Sequence, residues 1–82
     1  MQNYPNPFNP ETEISFSVPE RSNVIIRIYN STGEETVTLT DRITPAGYHR
    51  LIWNASEFPS GIYYYQMLTD KFTITKKMVL IK

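Results

Sequence analysis

The side chains that most often carry chemistry are scarce and scattered in this sequence. His49 is the only histidine and cysteine is absent, which excludes a thiol nucleophile, a disulfide and a cysteine zinc cluster. A catalytic histidine needs a nucleophile or an orienting carboxylate, and the sequence pairs His49 with neither. Asp41 and Asp70 have no second acid at a useful spacing, and the three glycines are too isolated to form a phosphate-binding loop. We therefore expect a packed or edge position for His49, no cofactor, no bound metal and no enzyme activity.

Three consecutive tyrosines offer a different chemistry, because aromatic rings also stack on sugars. Strand alternation, however, sends Tyr63 and Tyr65 to one face and Tyr64 to the other. Large aromatic side chains dominate burial in small cores, so we predict that Trp53 and Tyr63 lie in the core. A sugar-binding platform would need several coplanar exposed rings, and this pattern does not offer them.

The elements that position these residues are strands, because apolar residues recur with a period of two. The sequence predicts strands at 14–18, 24–29, 36–40, 48–53, 62–68 and 72–81. A turn at 30–33 should join two of them as a hairpin, with Asn30 chosen for its backbone tolerance. The two Pro-x-Gly stretches at 45–47 and 59–61 should be turns that lead into strands. No apolar residues recur at helical spacing over three turns. We predict an all-β fold, an antiparallel β-sandwich of about seven strands.

Composition limits the function further. The chain has 82 residues with eight basic and eight acidic side chains, so its formal net charge is zero. That balance argues against a nucleic-acid module, and 40% hydrophobic residues argue against a disordered tail. No apolar run approaches the roughly 18–20 residues that a membrane helix needs. We divide the chain into an extended lead-in rich in Pro and Asn, residues 1–10, and a sandwich domain, residues 11–82.

Several segments together resemble one known family, the type A C-terminal sorting domains of type IX secretion. The resemblance starts with the Tyr-Pro-Asn-Pro-Phe-Asn-Pro opening at 4–10 and the Ile-Ser-Phe-Ser-Val strand before Pro19. It continues with the turn at 30–33, Gly47 followed by Trp53, and Ser-Gly-Ile-Tyr at 60–63. It ends with the lysine-containing hydrophobic segment at 75–82. The order of these segments is kept across nearly the whole chain.

This resemblance implies an immunoglobulin-like β-sandwich at the C-terminus of an exported protein of Bacteroidetes or related bacteria. Such domains direct a covalently linked cargo from the periplasm through an outer-membrane translocon to the cell surface or the medium. The partners implied are translocon or shuttle proteins and a sortase-like peptidase that cleaves the domain. Because no signal peptide opens the sequence, we expect the chain to be a fragment whose cargo lies upstream. Neither nucleic acid nor membrane insertion is expected.

The resemblance also assigns residues to translocon recognition. The recognition set comprises Gly61, Tyr63, Lys76, Lys77, Met78, Val79, Leu80, Ile81 and Lys82. The lead-in motif comprises Tyr4, Pro5, Asn6, Pro7 and Phe8. For the lead-in, two interpretations stay open: a solvated segment, or one whose two rings pin it onto the domain.

The terminal segment has two physical interpretations. From Asp70 onward there are four lysines and one aspartate, a local charge of +3 in a neutral domain. A basic strand at a sheet edge offers unpaired backbone groups to a partner strand and is attracted to an acidic receptor groove. The same lysines could instead protect the edge from aggregation. Weak pairing of two copies through this edge strand is left open. The alternative function is an accessory structural, carbohydrate-binding or adhesive module of a secreted bacterial protein.

Overall fold

The strands follow directly from the alternation of apolar and polar residues. The computed structural model describes residues 2–81 and contains six strands of eight to ten residues and one of three. In chain order they are β1 (Gln2–Tyr4), β2 (Glu11–Val18), β3 (Ser22–Asn30), β4 (Glu35–Thr44), β5 (Gly47–Asn54), β6 (Gly61–Leu68) and β7 (Thr73–Leu80). The prediction of an all-β chain is confirmed.

The strands form two antiparallel sheets, in the orders β1-β2-β5 and β4-β3-β6-β7. The chain crosses between the sheets after β2, after β4 and after β5, so that β5 pairs with β2 and β6 pairs with β3. These returns to an earlier strand are the Greek-key connections of immunoglobulin-like sandwiches. Edge positions therefore fall to β1, β5, β4 and β7.

The core lies between the sheets and takes alternate residues from each strand, as a two-layer sandwich requires. Its buried apolar residues are Phe8, Ile14, Phe16, Val18, Val24, Ile26, Ile28, Trp53, Ala55, Tyr63, Tyr65, Met67, Met78 and Leu80. The predicted burial of Trp53 and Tyr63 is confirmed, since each side chain is only 3% exposed. Tyr65 and Met67 follow Tyr63 on the same face of β6, as the alternation indicated.

The hairpin between β3 and β4 is longer than predicted. Pairing continues from Tyr29 opposite Glu35 to Ser22 opposite Thr44, so the strand expected at 36–40 extends at both ends. Two register shifts, opposite Ile26–Arg27 and opposite Ile28–Tyr29, leave Leu39 and Thr36 as extra residues in β4, and the longer strand thereby stays paired with β3. The sequence did not indicate these bulges because the polar residues of β4 mask its alternation.

The hairpin turn corrects one expectation about Asn30. Gly33 adopts the left-handed backbone that the turn needs, with φ of +87°, while no other residue type has positive φ among those described. Asn30 instead acts through its side chain, whose Oδ1 accepts hydrogen bonds from the backbone N–H groups of Thr32 (3.1 Å) and Glu34 (3.0 Å). Asn30 therefore stabilises the turn through hydrogen bonds of its side chain rather than by adopting a left-handed backbone conformation.

Candidate functional site

Three segments that the sequence singled out meet at one end of the sandwich: the lead-in, the Gly-x-Tyr segment at the start of β6, and the last strand, β7. Gly61 lies opposite Leu80 in the β6–β7 ladder, and Tyr63 lies opposite Met78. On the other side of β7, Phe8 forms a parallel bridge with Leu80. The C-terminal half of β7 is therefore held between the Gly-x-Tyr segment and the lead-in.

An aromatic cluster fixes this end of the molecule. The ring centroid of Trp53 lies 5.7 Å from that of Phe8, 5.6 Å from that of Phe58 and 5.5 Å from that of Tyr63. The Tyr63 hydroxyl donates a 2.6 Å hydrogen bond to the carbonyl oxygen of Pro59, which ties β6 to the turn before it. Phe58 was not predicted to belong here, because it lies in a short connection without strand alternation.

The lead-in covers part of the outer edge of β7. The N–H of Phe8 donates to the carbonyl of Val79 (3.0 Å), and the N–H of Ile81 donates to the carbonyl of Phe8 (2.9 Å). The side chain of Asn6 substitutes for the next backbone group: its Oδ1 accepts from the N–H of Val79 (3.0 Å), and its Nδ2 donates to the carbonyl of Lys77 (3.4 Å).

The two rings of the lead-in behave differently. Phe8 is 2% exposed and belongs to the core, whereas Tyr4 is 77% exposed on β1. One ring therefore pins the lead-in to the domain and the other faces solvent. The carbonyl of Pro5 also accepts a 3.0 Å hydrogen bond from the buried hydroxyl of Thr12 in β2. The lead-in is thus built into the sandwich at both sheets.

Burial divides the residues assigned to recognition into two groups. The buried group consists of Phe8, Tyr63, Met78 and Leu80. The exposed group consists of Tyr4, Pro5, Asn6, Pro7, Gly61, Lys76, Lys77 and Ile81, with Val79 half-buried. Lys82 lies outside the described residues. In the folded domain a partner reaches only the second group, while the first group shapes the surface from beneath.

The basic residues of the last hairpin are not equivalent. Lys71 pairs with Glu20, and this hydrogen bond and charge raise the pKa of the Lys71 ammonium above its ordinary value. Lys76 and Lys77 form no salt bridge with any described residue. Strand alternation places Lys76 on the inner face of β7, opposite Tyr65, and Lys77 on the outer face, opposite Tyr64. The edge strand therefore carries two unpaired positive charges on opposite faces.

The outer face of the larger sheet extends this surface. Ile62, 41% exposed, lies opposite Val79, and Tyr64 lies opposite Lys77. Gln66 links two neighbours, because its Oε1 accepts from the Tyr29 hydroxyl (3.2 Å) and its Nε2 donates to Thr75 Oγ1 (3.4 Å). Sequence reasoning missed Ile62 and Thr75 as surface residues. Alternation around Tyr63 gives the outer face of Ile62, whereas the outer face of Thr75 follows only from its position opposite Gln66.

Tyr65 is the one buried polar side chain of this region that lacks a partner among the described residues. It is fully buried on β6 and its hydroxyl makes no hydrogen bond to the part of the chain that the structure describes. Burial raises the pKa of Tyr65 to about 12, because the phenolate would be poorly solvated. Burial also raises the pKa of Tyr63.

No described feature supports catalysis. His49 is half-buried on the edge strand β5, where it stacks on Phe16 at 5.5 Å and its Nε2 lies 2.7 Å from the carbonyl of Pro45, so the predicted packed or edge position is confirmed. Residues 2–81 contain no group of acids and histidine able to hold a metal ion. The described chain also contains no helix long and apolar enough to cross a membrane.

The cavities and aromatic rings do not favour a small ligand either. A cleft of about 50 Å³ lies between the β2–β3 and β6–β7 turns, far below the roughly 300–1,000 Å³ of ligand pockets. Trp53, Tyr63 and Tyr65 are buried, so these rings form no exposed platform for a sugar.

Comparison with known proteins adds the final observation. A family model described as a secretion system C-terminal sorting domain matches residues 2–82. The matched range includes the lead-in, the Gly-x-Tyr segment and the terminal strand. Searches of curated proteins and of solved structures gave no match to this chain.

Proposed function

The chain belongs to the family of type IX secretion C-terminal sorting domains, and we propose that it directs the export of a larger, covalently linked protein by docking to the outer-membrane translocon. The cargo precedes the domain, passes through the periplasm, and reaches the cell surface or the medium. A sortase-like peptidase then separates the domain from its cargo. The domain contributes recognition and no catalysis.

The match over residues 2–82 is the observation that carries this proposal. The convergence of three motif segments at one end of the sandwich supports it. The recognition surface that we propose comprises the exposed residues at that end: Gly61, Lys76, Lys77, Val79 and Ile81. The exposed lead-in residues Tyr4, Pro5, Asn6 and Pro7 border this surface, and Lys82 is included in the proposal on its sequence motif alone. The buried members, Phe8, Tyr63, Met78 and Leu80, act by holding it in shape.

This division determines how the proposal is tested. Deleting the last six residues would remove the buried side chains Met78 and Leu80, so lost export would report unfolding as much as lost recognition. Burying a Leu- or Met-sized side chain is worth roughly 1.5–3 kcal/mol, a large fraction of the stability of a small domain. Substitutions at exposed positions avoid this confusion.

The test fuses the whole chain to the C-terminus of a periplasmic fluorescent reporter in a bacterium with type IX secretion. We expect Ile81→Asp and Lys77→Glu to reduce export, because both side chains are exposed on the proposed surface. Ile52→Asp makes the same substitution at an exposed position on β5, and Arg42→Glu makes the same charge reversal at an exposed position on β4; both should leave export intact. Equal export of all four variants would contradict the proposed surface. Retention of the unmodified fusion in the periplasm, with the domain folded, would favour an accessory module instead.

A further inference from the structure

The outer edge of β7 is covered along only half of its length. Lead-in groups occupy the N–H and carbonyl of Val79, the N–H of Ile81 and the carbonyl of Lys77. Residues spaced by two along a strand direct their backbone groups to the same side. The N–H groups of Thr73, Thr75 and Lys77 therefore point to this outer side as well, together with the carbonyls of Thr73 and Thr75.

These groups of the first half have no strand beside them. The larger sheet ends at β7, and the bridge with Phe8 reaches only to Leu80. Asn6 marks the boundary, because its side chain makes the last lead-in contact with β7 at Lys77. The lead-in residues on either side of Asn6 are Pro5 and Pro7, which have no N–H to extend the pairing. We call the segment 73–77 the open window, because its outer edge is unpaired and the lead-in covers the edge beyond it.

The positive charges beside the open window favour an acidic strand over a neutral or basic one. Lys76 and Lys77 lie on opposite faces of β7, both exposed and without a salt bridge to any described residue. Lysines on an edge disfavour addition of a neutral strand, and like charges placed opposite one another are destabilising. An acidic strand would instead gain a cross-strand ion pair on each face and be steered toward the site.

We propose that the open window is a strand-addition site for an extended acidic segment of the secretion machinery, which pairs with the outward backbone groups of Thr73, Thr75 and Lys77. The inference rests on the proposed sorting function and adds to its recognition surface a strand-pairing site on the first half of β7. Lys76 and Lys77 disfavour pairing of this edge with a second copy of the domain, and the same charges favour an acidic partner strand. The lead-in sets the length of the site.

The decisive variant is Thr75→Pro. Proline at residue 75 removes an N–H that faces away from β6, and prolines are tolerated on edge strands when that side faces solvent. Thr75→Val is the matched control: it also removes the hydroxyl that accepts from Gln66 but keeps the backbone donor. With the unmodified fusion exported, we expect Thr75→Pro to lower export at least about tenfold and Thr75→Val less than about twofold.

The outcomes separate this inference from the proposed function. If the unmodified fusion is exported and Thr75→Pro is exported equally well, the open window is not the docking site, although the sorting function stands. If the unmodified fusion is not exported, the sorting function itself fails. Should circular dichroism show that Thr75→Pro does not fold, the exposed double variant K76E/K77E takes its place, and unreduced export of that variant overturns the inference.

A second measurement uses the folded domain and defined peptides. A synthetic peptide of Val and Thr with two adjacent glutamates at its centre, which face opposite sides of an added strand, and its counterpart with two adjacent lysines there, are titrated to millimolar concentration against the ¹⁵N-labelled chain. The Glu peptide should shift the amide signals of Thr73, Thr75 and Lys77, and the Lys peptide should not. Equal shifts with both peptides, shifts confined to β4 or β5, or no shift at all would contradict the inference.

Discussion

The hydroxyl groups of Tyr63 and Tyr65 provide a matched test of how the Gly-x-Tyr segment works. Both tyrosines lie on the inner face of β6, two residues apart, and both are at most 3% exposed. The Tyr63 hydroxyl donates a 2.6 Å bond to the carbonyl of Pro59, whereas the Tyr65 hydroxyl has no partner among the described residues. The same substitution, Tyr to Phe, should therefore change stability in opposite directions.

The magnitudes follow from these contacts. A protein hydrogen bond contributes about 0.5–1.5 kcal/mol net, and Pro59 is exposed enough for water to replace the lost donor. Tyr63→Phe should therefore lower the free energy of unfolding by about 1 kcal/mol. Tyr65→Phe removes a hydroxyl that loses its hydration on folding and gains no hydrogen bond in return. This substitution should therefore raise the free energy of unfolding by about 0.5–1 kcal/mol. In a domain of this size, 1 kcal/mol moves the melting temperature by roughly 4–8 °C.

Urea and thermal unfolding of the two variants, followed by circular dichroism, measure this difference. We expect Tyr63→Phe to melt below the unmodified domain and Tyr65→Phe to melt at or above it. At a temperature where both are folded, both should be exported equally, because neither hydroxyl reaches the surface. Equal destabilisation by the two substitutions would refute the assignment of these bonds. Loss of export by folded Tyr63→Phe would refute the structural role of Tyr63.

Three further predictions concern pH and the polar contacts of the fold. Because burial raises the pKa of Tyr65 from 10.0 to about 12, ionisation of this group costs no stability below pH 10 and lowers the free energy of unfolding as the pH rises to 12. Tyr65 should account for at most about 2.7 kcal/mol of the stability lost in alkaline unfolding, and Tyr65→Phe should remove that part; an unchanged profile in that variant would contradict the burial. Asn6→Ala should cost about 0.5–1 kcal/mol in urea unfolding and speed amide exchange at Val79, because its side chain accepts from that N–H. Asn30→Ala should cost about 1 kcal/mol, since Oδ1 accepts two backbone bonds in the hairpin turn, whereas Ser31→Ala, exposed in the same turn, should cost less than about 0.5 kcal/mol.

The fold was largely predictable because burial and alternation coincide. From Ile14 in β2 and from Tyr63 in β6, every second residue is both apolar and buried, so the faces of these strands and the central position of Trp53 followed from the sequence. The ends of β4 were not predictable, because its polar residues face solvent and its length is set by pairing with β3. Local propensity carries no information about such pairing across the chain.

The candidate site was only partly predictable, for a related reason. The sequence identified the lead-in and the last strand separately, but their contact joins residues more than seventy positions apart, such as Asn6 and Val79. The sequence placed Lys77 and Met78 together in the recognition set, whereas the structure exposes Lys77 and buries Met78. It gave no sign that half of the strand edge would be covered, because that depends on where the lead-in returns to the sheet.

Export of the fused chain by the type IX machinery is the claim on which the account rests. The most direct measurement compares the fraction of reporter outside the cell in a type IX-competent strain and in an isogenic strain that lacks the outer-membrane translocon. The account predicts reporter on the surface or in the medium of the first strain and periplasmic reporter in the second. Equal distribution in the two strains, with the fused domain folded in both, would contradict it.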